Sequence, residues 1–370
     1  MENKEKIKQL AAVLTPALIL VALTLFCWFK PHTDISVSER RELASFPQAS
    51  YAAVADGTFM EQFELYAEDQ FPLRETFRTG KALSGRYLFA RPVINGIYSV
   101  NGYSAAILAP LDEKSLEHAA GLFENLYEEY LSGTDVHVYL SVIPDKGYFL
   151  AQENGYPSLD YGELVRILRD GTPHMSYIDL FGELSVSDYY RTDTHWRQEK
   201  ILDAVGKLAQ GMGVSVDGAD AYREVIADRD FYGVYAGQSA LPTKPDRLVY
   251  LVSSVTEQAL VYNYETEQTG SVYDLKKAND PDMYDLFLSG PVRLLRIENP
   301  LAETDRELVI FRDSFSSSAA PLLISGYKTV TLVDLRYIRS YEIGDWIDFD
   351  RQDVLFLFNT ALLNGSWSLK

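Results

Sequence analysis

The apolar positions of this chain change period several times, and each change marks a boundary. Residues 9–29 read QLAAVLTPALILVALTLFCWF without a charge. About 20 such residues at ~1.5 Å rise each span a ~30 Å hydrocarbon layer, so the stretch predicts one N-terminal transmembrane helix. Lys4, Lys6 and Lys8 precede it, which places residues 1–8 in the cytoplasm and everything after Lys30 outside. A cleaved signal peptide and a buried core helix are the competing readings. The run is longer than a signal core, and Trp28, Phe29, Lys30 and Pro31 supply no small-residue cleavage site, so an uncleaved signal anchor fits better.

Residues 30–55 show no apolar period and read as an extended polar linker. Helical spacing begins after residue 56, where Phe59, Phe63 and Tyr66 recur at three- and four-residue steps, followed less strictly by Phe77, Leu83 and Tyr87. Two helices are expected, broken near Phe71-Pro72. Asn95-Gly96 and Asn101-Gly102 mark tight turns between short strands over 93–108. Beyond them the pattern alternates: a helix over 115–131, a buried strand over 136–143, a helix over 161–168, a short strand over 177–180 and a helix over 198–211. Residues 217–289 interrupt this rhythm with Gly233, Gly237, Pro242, Pro245 and tyrosine-rich runs, and read as a β-rich insertion. Alternation resumes with a strand over 308–311, a helix over 316–324 and strands over 329–333 and 354–358. The expected fold is therefore one α/β domain over 56–370, a largely parallel sheet with helices on both faces.

Composition narrows the functions open to it. Hydrophobic residues make up 47% of the 370, enough for a sizeable core. A formal net charge of −19 excludes a sequence-independent grip on nucleic acid, which needs clustered cations. Cys27 is the single cysteine, so no intramolecular disulfide forms. His32, His118, His137 and His174 lack metal-ligand spacing and no glycine-rich phosphate loop occurs, so neither metal nor cofactor is expected.

Two segments carry candidate chemistry. In Asp193-Thr194-His195-Trp196, a carboxylate two residues before an imidazole can fix its tautomer; the alternative is a structural histidine. In Arg312-Asp313-Ser314-Phe315, a serine follows a buried strand at the start of a helix, where backbone N–H groups suit an oxyanion. Helix capping by Asp313, Ser314 or Ser316 is the alternative. Together the segments supply a nucleophile, a base and an orienting acid.

With Glu39 to Pro47 (ERRELASFP) and Asp69 to Arg74 (DQFPLR), these segments form four motifs in one order. In that order the chain resembles the DHHW protein family and the related alginate O-acetylation proteins, whose domains are SGNH-hydrolase-like, of flavodoxin-like layout. The resemblance implies Ser314 as nucleophile, His195 as general base and Asp193 as its partner. It further implies O-acetyl transfer to a cell-envelope or secreted polysaccharide, with a membrane-bound O-acyltransferase as partner. A polysaccharide acetyl esterase and a non-catalytic scaffold or glycan-binding protein remain open beside it. Thr194 stands where the family name has a first histidine, and Arg312 where ordinary SGNH enzymes have glycine. Further candidates for substrate or oxyanion contact are Tyr190, Arg191 and Trp196 beside the histidine, Arg312 beside the serine, Lys146 after a strand, and Asn359 after the last strand. Each has a bland counterpart: aromatic packing, a solvated lysine, or a terminal turn.

Overall fold

The computed structural model describes residues 2–370. They divide into two units, Met1–Ile94 with Gly237–Pro242, and Asn95–Ala236 with Thr243–Lys370.

The first unit begins with α1 (Glu2–Phe29), whose Lys4–Cys27 stretch contains an 18-residue window of mean hydropathy 2.5 and is long and apolar enough to cross a membrane. The segment expected as an extended linker contains a short hairpin, β1 (Ile35–Ser36) and β2 (Arg41–Glu42), and a short helix, α2 (Tyr51–Ala55). The two expected helices are α3 (Thr58–Asp69) and α4 (Arg74–Leu83), the second prolonged by a π-helical turn, Ser84–Leu88. The break falls at Phe71-Pro72 because the proline ring disfavours helical backbone in the residue before it. β3 (Val93–Ile94) closes the unit.

Two of the four motifs meet here. Arg41 grips Asp69 through two hydrogen bonds of 2.8 and 2.6 Å, and Asp69 Oδ2 also accepts the Ala44 N–H at 2.9 Å. Arg74 reaches both Asp69 and Glu39. The Arg41 guanidinium holds the Asp69 carboxyl down at about 2, against the opposing effect of burial. ERRELASFP and DQFPLR are thus one ionic clamp, which explains their joint occurrence structurally.

The second unit opens with a hairpin of β4 (Ile97–Val100) and β5 (Tyr103–Ala106), whose turn residues Asn101 and Gly102 have φ of 50° and 84°. These are the left-handed values a two-residue hairpin turn requires. Next come α5 (Glu113–Leu126), β6 (His137–Ile143), α6 (Lys146–Leu150), α7 (Tyr161–Gly171), β7 (Ser176–Tyr177) and α8 (Leu202–Gly211). Then follow β8 (Arg223–Phe231), α9 (Val234–Ser239), β9 (Asp246–Val252), α10 (Ser254–Gln258), β10 (Leu260–Asn263), β11 (Gln268–Gly270) and β12 (Leu294–Glu298). The chain finishes with β13 (Glu307–Arg312), α11 (Ser316–Leu323), β14 (Thr329–Val333), β15 (Asp353–Asn359) and α12 (Thr360–Leu363).

One eight-stranded sheet, ordered β11-β10-β12-β14-β13-β15-β6-β7, organises the unit. The run from β14 to β7 is parallel, while β12, β10 and β11 are antiparallel. Strand alternation sends Leu308, Ile310, Leu355 and Leu357 to one face, covered by α8 and α11, and Val309, Phe311, Val354 and Phe356 to the other, covered by α5 and α7. The fold is thus α/β with helices on both faces, as expected. The insertion differs from expectation. Only β8 and β9 form a sheet of their own, whereas β10 and β11 join the main sheet through β12, an element the sequence pattern did not reveal.

Candidate active site

β13 is buried along its length between β14 and β15, so the residues after Arg312 emerge at the carboxyl edge of the sheet's middle. Asp313 bends the chain there. Its Oδ1 accepts the Phe315 N–H at 3.0 Å and its Oδ2 accepts the Asn359 N–H at 2.6 Å, tying the turn to the end of β15. Burial pushes the Asp313 carboxyl up, opposed by those two donors. Ser314 sits at the apex, partly exposed, directly before α11. Among the described residues its N–H is donated to no other group.

The histidine approaches from a separate loop. An antiparallel bridge between Tyr189 and Trp196, with the Tyr190 N–H donated to His195 O at 3.1 Å, folds 189–196 into a tight turn. Asp193 and His195 leave that turn on the same side. His195 Nδ1 lies 2.6 Å from Asp193 Oδ1, and Nε2 lies 2.8 Å from Ser314 Oγ. With Nδ1 protonated toward the carboxylate, Nε2 is left as the acceptor for the serine hydroxyl. Asp193 is fully buried and also accepts the N–H groups of His195 at 3.0 Å and Val234 at 2.8 Å. Gly233 makes the last contact possible: a Cβ there would fall 2.3 Å from Asp193 Cα.

The neighbouring aromatics hold this arrangement. Trp196, buried, donates Nε1–H to Phe315 O at 3.0 Å and Ser318 Oγ at 2.8 Å, so the histidine's neighbour fastens the serine's turn. Tyr284 stacks on His195 with centroids 3.9 Å apart and planes 9° apart, and donates its hydroxyl to Ser318 Oγ at 2.8 Å. Tyr284 lies in the segment read as an insertion, and no local pattern marked it. Gly233 and Val234 were equally silent in sequence, because their role exists only once the 189–196 loop packs on them.

The remaining candidates separate. Tyr190 is buried against Phe231, and Trp196 is buried as described, so neither ring faces solvent. Arg191 is exposed, over the Tyr103 ring at 5.6 Å. Arg312 is buried and donates to Ser317 Oγ at 2.6 Å and Val292 O at 3.3 Å. Asn359 caps α12 through Ala361 N–H at 2.9 Å and donates to Ile143 O at 3.1 Å, so its side chain is committed to the scaffold. Lys146 is not a solvated lysine. It is buried, donates to Tyr190 O at 2.9 Å and Arg191 O at 3.4 Å, and lies over Tyr235. Burial pushes its ammonium down to about 7, while Asp193 and Asp246 pull the other way. It steadies the loop that presents Asp193. Apart from these residues, Glu124, Glu128 and His174 bring one ligand-type atom each to within 4.8 Å of one another, a grouping absent from the histidine spacing alone.

The sheet order, the helices on both faces and a serine at the carboxyl edge are those of an α/β protein with its candidate site at the carboxyl ends of parallel strands. Among solved structures, the chain is similar to a DHHW family protein from Eubacterium siraeum, at 20% identity and a TM-score of 0.59, covering 75% of this chain and 97% of that one. Bacillus cereus PatB1 with a sulfonyl adduct matches at 17% identity and a TM-score of 0.57, covering 72% and 95%. The O-acetyltransferase domain of Pseudomonas putida AlgJ matches at 13% identity and a TM-score of 0.45, over 73% and 92%. The likeness to the DHHW family is one of fold. No family model and no curated protein matches the sequence.

Proposed function

We propose that the protein is a membrane-anchored, extracytoplasmic O-acetyltransferase that uses Ser314, His195 and Asp193 to acetylate a hydroxyl of a cell-envelope or secreted polysaccharide. The observation that carries this reading is the continuous relay from Asp193 Oδ1 through His195 to Ser314 Oγ, with contacts of 2.6 and 2.8 Å. A serine so placed is activated as a nucleophile when it attacks an acyl carbon.

In the first step Ser314 Oγ bonds to the acetyl carbon of an ester donor while its proton passes to His195 Nε2. The backbone N–H of Ser314 faces the developing oxyanion. The donor oxygen then leaves with the proton from Nε2, and acetyl-Ser314 remains. In the second step a sugar hydroxyl gives its proton to Nε2 and attacks the same carbonyl; the serine oxygen departs and recovers the proton. Asp193 stays ionised throughout and stabilises the imidazolium. α1 supplies the anchor, and Lys4, Lys6 and Lys8 before it favour a cytoplasmic N-terminus. Outside the cell an acetyl donor must be delivered across the bilayer, which is the service a membrane-bound O-acyltransferase would perform.

The test compares the detergent-solubilised full chain with Ser314→Ala on an acetyl ester reporter. A loss on the order of 10³-fold or more is expected; equal background release from both would overturn the triad. Adding an oligosaccharide pool and finding acetylated sugars by mass spectrometry, in the wild type alone, separates transfer from net hydrolysis.

A further inference from the structure

Unit 1 carries its apolar side chains on the outside. Between residues 30 and 94 only Leu43, Ala82 and Ile94 are buried hydrophobics, while Leu73, Phe77, Tyr87, Leu88 and Phe89 are between 53% and 79% exposed. Among the exposed positions of α4 and its π-helical turn, which include Glu75, Thr76 and Lys81, the residues Leu73, Phe77, Gly80, Ser84 and then Tyr87 and Leu88 recur at three- or four-residue steps. They form one face of a continuous helical segment. A contiguous apolar face left bare signals a covering surface.

Charge and tether identify that surface. Residues 73–91 hold Arg74, Arg78, Lys81, Arg86 and Arg91 against the single acid Glu75, in a chain of net charge −19. Arg74 and Arg78 are engaged by Glu39 and Glu75, whereas Lys81 and Arg91 are exposed near the aromatics and the half-buried Arg86 donates only to the Arg91 and Pro92 carbonyls, at 3.5 and 3.3 Å. α1 ends at Phe29, and by Thr33 the chain is already fastened: the Gln70 side chain bonds both Thr33 N and Thr33 O at 3.1 and 2.8 Å, and the His32 ring stacks on Tyr66. Four residues reach at most ~14 Å, and Gln70 immediately precedes the turn into α4.

We propose that the segment 73–89 lies flat in the headgroup layer of the bilayer that α1 crosses. Leu73, Phe77, Tyr87, Leu88 and Phe89 enter the acyl boundary, and Lys81, Arg86 and Arg91 sit at the level of lipid phosphates, the arrangement of an interfacial amphipathic helix. This rests on the reading of α1 as a membrane span.

The experiment uses the full chain with Cys27→Ser, reconstituted in vesicles of phosphatidylcholine and phosphatidylglycerol. A single cysteine at Lys30 or at Leu88 carries an environment-sensitive fluorophore. With lipids brominated near the headgroup end of the acyl chain, both labels are expected to be quenched by at least half and shielded from iodide. Introducing Phe77→Asp and Phe89→Asp should restore iodide access at Leu88 and leave Lys30 quenched. If Lys30 is quenched while Leu88 remains unquenched and open to iodide, the anchor stands and the interfacial helix is overturned, with another protein the better candidate to cover that face. If neither label is quenched, the anchor fails and this inference falls with it.

Discussion

Gly233 places the Asp193 carboxylate by having no side chain. A methyl group there would meet the Asp193 backbone at 2.3 Å, so Gly233→Ala must push the 189–196 loop away from α9 and break the Val234 N–H contact. We expect it to cost about 1–3 kcal/mol of stability through overpacking, visible as a lowered denaturation midpoint, with a larger fall in kcat than in KM. Trp196→Phe keeps an aromatic side chain and removes one donor shared by Phe315 O and Ser318 Oγ, which retain longer or other partners in Ser318 and Tyr284. Loss of one such hydrogen bond costs about 1 kcal/mol; reporter hydrolysis should drop with little change in KM, because the serine's turn loosens while the surface beyond it is untouched. A kcat indistinguishable from wild type would show that Tyr284 and Ser318 suffice. Asp193→Asn keeps the shape and reverses the tautomer preference of His195, so hydrolysis should fall on the order of 10⁴-fold.

At the scale of elements, the clamp between the β1–β2 hairpin and α3 has a defined pH window. Asp69 is held at about 2, against an ordinary 3.8, chiefly by Arg41. A carboxyl depressed in the folded state stabilises it above the unfolded value, and that stability is lost as pH falls through the folded one. The clamp should therefore persist down to about pH 4 and dissolve as pH falls toward 2, read as protease cleavage between residues 46 and 58. Arg41→Met removes the main cause of the shift, so cleavage should set in at higher pH. Cleavage that is independent of Arg41 would mean that Arg74 alone holds Asp69. The two segments joined here drew notice in sequence only as motifs. Their ionic content was plain in the letters, but a contact across 28 residues has no local period to betray it.

Across the whole molecule, the parallel core was legible because strands buried on both faces read as solid apolar runs: β6, β13, β14 and β15 fall where β-branched and aromatic residues are dense. The antiparallel flank was legible only in part. β10 falls in a tyrosine-rich, strand-like run of the expected β-rich segment, whereas β12 alternates buried and exposed positions over five residues, too short to stand out from the turns around it. The candidate site was readable in the same uneven way: Asp193, His195 and Ser314 lie in compact motifs, whereas Tyr284, Gly233 and Lys146 join them only through packing. Sequence distance makes that unavoidable, since the histidine and serine are 119 positions apart.

β15 stands between β13 and β6 in the middle of the sheet, yet it is the final strand in sequence. A chain synthesised amino end first presents its histidine early, its serine later, and the strand that seats between β13 and β6 last of all. Until β15 inserts, Asp313 lacks the Asn359 N–H that sets the serine's turn. A chain stopped at Gln352 should thus be protease-sensitive and silent on the ester reporter although Asp193, His195 and Ser314 are all present. Completion of the sheet and alignment of the site are thus coupled by topology: a chain without β15 holds all three side chains but not the turn that aligns them.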